Sequence, residues 1–118
     1  MTATVQHNLP LQIIEKYDQF LDYIIPKIES MPRRYSQFRD RFLNVIYSVP
    51  EMIYLAAKTK QVGFLNKVDS AFATIRWFLR RAAHDKMRLV THRQEELSNV
   101  YLAEAGKMLG AWLKRVKR

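Results

Sequence analysis

Arg76 and Arg80 stand four residues apart, and beside them run Trp77, Arg81, His84 and Arg88 at steps of four, three and four. On a helix both rows share one surface. Guanidinium groups pair with phosphates in bidentate geometry and stack on bases, and a partly exposed indole offers a stacking plane, so the pattern suits RNA or single-stranded nucleic acid. Arg33 and Arg34, in a connection between helices, and the C-terminal Lys114-Arg115-Val116-Lys117-Arg118 add cations of the same kind. The expected nucleic-acid-binding set is therefore Arg76, Arg80, Arg81 and Arg88, supported by Arg33, Arg34, Lys114 and Arg115. The helix-borne set leads because a rigid helix fixes its guanidinium groups, whereas a flexible tail loses more conformational freedom on ordering. A structural assignment competes with it: the same arginines can pair with Glu95, Glu96 or Glu104 of the following helix, and Trp77 can fill a subunit interface.

Other chemistry has weaker support. His7, His84 and His92 share no close helical spacing, and His92 with Glu95 makes one imidazole–carboxylate pair where a di-iron bundle needs two plus further glutamates. No metal or cofactor is expected. Cysteine is absent, which excludes a disulfide framework, a thiolate metal site and a Cys nucleophile. Four-helix ribonucleases of the HEPN class space Arg and His more widely than Arg80–His84 or Arg88–His92, and neither a Gly-rich phosphate loop nor a Ser–His–Asp arrangement is recognisable. The expectation is a protein that is not an enzyme. Charge agrees with a polyanionic partner: 20 Lys+Arg oppose 11 Asp+Glu for a net +9, distributed as −2, +4, +4 and +3 over residues 1–30, 31–60, 61–90 and 91–118.

The elements that must position these residues read as helices. A chain of 118 residues with 48% hydrophobic and 26% charged residues makes one globular domain, and 3 Gly with 4 Pro leave too little turn chemistry for a sandwich. No apolar run approaches the ~18 residues of a membrane helix. Residues 1–10 carry no basic region followed by an apolar segment and read as a flexible lead, with a cytoplasmic location expected; residues 11–118 read as one bundle domain with a basic C-terminal tail.

The first helix spans Leu11 to Ile28, with Ile13, Ile14, Tyr17, Phe20, Leu21, Ile24, Ile25 and Ile28 on its apolar stripe and Pro26 kinking or ending it. Phe38, Phe42, Val45, Ile46, Val49, Ile53 and Ala56 mark the second, with Ser36 as expected N-cap and a bend at Pro50. The third starts after Gly63, buries Leu65, Val68, Phe72, Ile75, Leu79 and Ala82, and is expected to end near Lys86 or Arg88. Thr91 and Gln94 match a capping box opening the fourth, whose expected stripe is Leu97, Tyr101, Ala105, Met108, Leu109, Trp112 and Val116. Four such helices with short connections imply an all-α, up-down-up-down antiparallel bundle.

On the fourth helix Asn99, Ala103, Gly106 and Gly110 fall at steps of four, three and four. Glycine costs about 1 kcal/mol in a helix interior relative to Ala, so Gly106 and Gly110 suggest that another helix or a second subunit approaches closely there. Trp112 and Trp77 join them as expected packing residues, and a homo-oligomer follows.

The series Ile14-Glu15-Lys16-Tyr17-Asp18, Ile25-Pro26-Lys27-Ile28-Glu29 with Pro32-Arg33, Ile75-Arg76-Trp77-Phe78-Leu79-Arg80 then Ala83-His84-Asp85, and Glu104-Ala105-Gly106-Lys107-Met108-Leu109-Gly110-Ala111-Trp112-Leu113-Lys114 resembles the accessory variability determinant (Avd) proteins of diversity-generating retroelements. The likeness runs from Ile13 to Lys114; the chain departs from it in carrying Pro50, and in Ala111, where the family commonly has a second glycine before the tryptophan. The resemblance implies a four-helix bundle assembling as a pentameric barrel. It also implies binding of a reverse transcriptase and its template RNA in support of mutagenic complementary-DNA synthesis, with no catalysis by this chain. The related bundles encoded by intervening sequences in ribosomal RNA genes are the alternative within this reading. Outside it stand a structural bundle docking an acidic protein and an RNA-cleaving, toxin-like enzyme.

Overall fold

The computed structural model describes residues 9–116. Four helices make up the fold: α1 (Leu9–Glu29), α2 (Ser36–Thr59), α3 (Val62–Ala83) and α4 (His92–Val116), with a 3-10 turn at Arg33–Tyr35. Each packs on its chain neighbours and α4 closes against α1, with no diagonal approach of backbones. Helices of 21 to 25 residues, about 32–38 Å long at 1.5 Å per residue, laid antiparallel with connections beyond their ends, give a long axis of 47 Å and short ones of 23 and 20 Å. Among the described residues there is no strand. The residues of the expected lead that the structure describes, Leu9 and Pro10, are already helical, as suits a proline whose missing N–H falls in the first turn; residues 1–8 lie outside the described range.

Tyr17 and Phe20 of α1, Phe42 and Ile53 of α2 and Phe72 and Leu79 of α3 are fully buried along the axis. Tyr17 stacks on Phe72 across the core, centroids 5.8 Å apart. These aromatics occupy so much of the axis that α4 contributes smaller side chains, Ser98, Leu102, Ala105 and Leu109. The expected α4 stripe is therefore rotated: Leu97, Tyr101, Met108 and Trp112 lie half-buried at its edges, and Val116 is exposed.

Neither interior proline ends its helix: α1 continues to Glu29 beyond Pro26 and α2 runs unbroken through Pro50. Pro50 has no N–H to offer the carbonyl four residues back, that of Ile46. The Tyr17 hydroxyl of α1 donates to that carbonyl at 2.6 Å.

Three boundaries differ from expectation, among them the start of α3, which lies at Val62 and takes Gly63 into the first turn. Ser36 is the first residue of α2 rather than its cap; the 3-10 turn leads in, and Tyr35 holds the cap position without a side-chain hydrogen bond. Helix α2 ends at Thr59 and is capped by Lys60 in the left-handed region (φ 58°), its N–H donating to Ala56 O at 2.9 Å, where lysine costs about 1 kcal/mol more than glycine. Helix α3 stops at Ala83, short of Lys86. Buried Val90 draws the chain back over the helix end, so that Leu89 and Val90 N–H groups donate to Ala82 O (2.8 and 3.3 Å), and the Lys86 N–H turns to His84 Nδ1 (3.1 Å). The Thr91–Gln94 capping box forms as expected, with Gln94 N–H to Thr91 Oγ1 at 3.0 Å and Thr91 N–H to Gln94 Oε1 at 2.9 Å.

Candidate nucleic-acid interface

An antiparallel bundle of four puts its first and third connections at the same end. Arg33 and Arg34 of the α1–α2 connection therefore stand with Arg76, Arg80 and Arg81 in the last turns of α3 and with Arg88 of the α3–α4 connection, and all six are exposed. Lys114 and Arg115 are in the last turn of α4, at the opposite end, so they form no single surface with the others and are helical rather than a tail; Lys117 and Arg118 lie outside the described residues. Arg88 is not on the α3 rows. It sits past the helix end in the left-handed region (φ 49°), its Nε donating to Asp85 O at 3.1 Å, and His84 leaves the row at the same break.

Residues 27–41 and 76–96, which build this end, hold 11 Lys+Arg against 5 Asp+Glu, a net +6 of the chain's +9. Lys86 and Arg93 are exposed there, and Arg41 joins them from the first turns of α2. Sequence spacing missed these three because no helical row links them; the antiparallel topology, once deduced, would have found them.

The pairing of α3 arginines with α4 glutamates is not what the structure holds. Among the described residues the ion pairs are Arg39–Asp40 (3.2 Å) and Lys107–Glu104 (3.8 Å), and the His92 ring lies 3.8 Å from Asp85 and from Glu95. Arg76, Arg80 and Arg81 have no carboxylate partner among them. Trp77 is 47% exposed and meets Phe78 edge-on at 5.1 Å; Phe78 in turn stacks on Phe42 at 4.9 Å. The indole thus rests on an aromatic pile shared by α2 and α3, on the same exposed helix surface as Arg76, Arg80 and Arg81. Arg34 lies over the Tyr35 ring at 5.1 Å.

Gly106 and Gly110 are not packed within the chain. A Cβ at either would meet nothing within 4 Å, so the close approach expected from their spacing is made by no helix of this protomer. Among the described residues no group of three His, Asp or Glu is placed to hold a metal ion, and no helix is long and apolar enough to cross a membrane.

A basic four-helix bundle with arginines gathered at one end is the class that fold and site define. The family described as bAvd-like matches residues 11–116, nearly the whole chain, and the protein belongs to that Avd-like family, which is of an accessory, non-catalytic kind. No curated protein matches the sequence.

Proposed function

We propose that the chain is a non-catalytic accessory subunit of a diversity-generating retroelement, which holds template RNA on its arginine-rich end and presents it to the reverse transcriptase. The observation that carries this reading is the gathering of unpaired Arg76, Arg80 and Arg81 around the exposed face of Trp77, with Arg33, Arg34 and Arg88 at the same end. Guanidinium groups take the phosphates, and the indole stacks a base of an unpaired strand. The subunit acts by position and electrostatics, raising the local concentration of RNA beside its partner. Assembly as a homopentamer multiplies the charge of each end. The open glycine face of α4 gives a second copy room to approach.

The test is the variant Arg76→Gln/Arg80→Gln/Arg81→Gln. Its melting temperature should stay near that of the parent, because no ion pair is lost, while RNA affinity falls uniformly across sequences. The slope of log K against log salt should drop by about 0.7 for each phosphate contact removed from a single strand. Undiminished RNA affinity in the intact variant would remove these residues from the interface.

A further inference from the structure

The end of the bundle away from the arginines holds a cavity of about 350 Å³. Its walls are apolar: Leu9 opens α1, Ala56 belongs to the last turns of α2, Val62 and Leu65 begin α3, and Trp112 comes from α4. That volume lies in the range of small-molecule sites, roughly 300–1,000 Å³, where apolar walls supply affinity and a few polar groups set orientation. Lys60 and Arg115 stand among the lining residues, both exposed, and among the described residues no carboxylate lines the space with them. Neither takes part in an ion pair among the described residues. Lys60 is held where it is by its left-handed backbone and its bond to Ala56 O, so its charge leaves from a fixed point on the rim.

We infer that this cavity binds a small amphiphilic carboxylate, an alkyl or aryl chain ending in one acid group. The chain lies along Leu65, Val62 and Trp112; the carboxylate sits between Lys60 and Arg115, with the Gln61 side chain as a further donor. Charge and wall chemistry choose this ligand over its neighbours. An inorganic anion would gain nothing from the apolar walls, and an alkyl cation would face two like charges at the rim. The inference does not depend on the RNA reading, since the two sites occupy opposite ends of the molecule.

The two tryptophans make the test direct. In full-length protein carrying Trp77→Phe, Trp112 is the sole indole and reports on the cavity. Decanoate titrated below its micelle concentration should change Trp112 emission saturably, whereas acetate and decylammonium should not. Lys60→Gln/Arg115→Gln should weaken decanoate binding about tenfold or more with an unchanged circular dichroism spectrum. Ala57→Phe, which fills the cavity from α2, should abolish binding; if that variant fails to fold, the charge variant still decides. The inference is overturned by a linear response to decanoate, by an equal response to decylammonium, or by parental affinity in the charge variant.

Discussion

Tyr17 joins two helices through a bond that only a proline makes available. In α2 the Ile46 carbonyl lacks its helical donor because residue 50 is proline, and the phenol reaches it at 2.6 Å from inside a fully buried site. Tyr17→Phe removes the donor and leaves that carbonyl buried and unpaired, at a cost of about 1–3 kcal/mol in denaturant unfolding. Pro50→Ala supplies a backbone N–H to the same carbonyl, so the cost of Tyr17→Phe should shrink in that background; additive effects in the double-mutant cycle would show that the two residues do not share the group. Burial, and then the neighbouring Tyr47, push the Tyr17 phenol well above its ordinary value of 10.0. Folding thus favours the protonated form. This contribution is complete below the unfolded value and is lost as pH rises above about 10 toward the folded one, so melting temperature should fall more steeply there than in Tyr17→Phe. Thermal melts between pH 9 and 11.5 check it.

At the scale of the element, α4 shows how a pattern can fix a helix without saying whether its open face meets a helix of the same bundle or a second subunit. Its glycines mark a face for close approach by another helix or a second subunit, and within the protomer open space surrounds both. Within the protomer Gly106→Ala should therefore stabilise α4 by up to about 1 kcal/mol, the difference in helix propensity. Gly106→Leu separates the two meanings of the face. If a second copy packs there, sedimentation should show smaller assemblies while the helical spectrum persists; a collapse of the helical signal would mean that the face is packed inside the bundle. Helix α3 makes the complementary point: its periodicity runs on in sequence to Arg88, but buried Val90 pulls the chain back at Ala83. Periodicity records which residues could share a face. It does not record where a tertiary contact ends the helix.

Across the whole molecule, charge is divided along the 47 Å axis: the arginines gather at one end and the amphiphile cavity occupies the other, where Lys60, Lys114 and Arg115 stand. The outer face of α1 carries Glu15, Asp18 and Asp22, all exposed, which keeps the side of the bundle less basic than its ends. Lys114→Gln/Arg115→Gln should accordingly reduce RNA affinity far less than the triple α3 variant under the same salt conditions. Equal losses would mean that RNA runs the length of the bundle.

The number of helices, the apolar faces of α1 to α3, the Thr91–Gln94 box and the Arg76–Arg80 and Trp77–Arg81 steps of α3 are legible in the residues themselves, because each depends on local spacing along the chain. The same holds for the family likeness carried by the Ile25-Pro26-Lys27-Ile28-Glu29 and Gly106–Trp112 segments. Three things waited for the tertiary structure. Arg33 and Arg34 share an end with α3, and Lys114 and Arg115 do not, because antiparallel packing brings together connections that are far apart in sequence. The α3 arginines carry no glutamate partners, because the direction in which α4 turns its carboxylates depends on core packing. Tyr17 belongs to α2 as much as to α1, because a backbone carbonyl freed by a proline has no mark in the sequence of the helix that satisfies it.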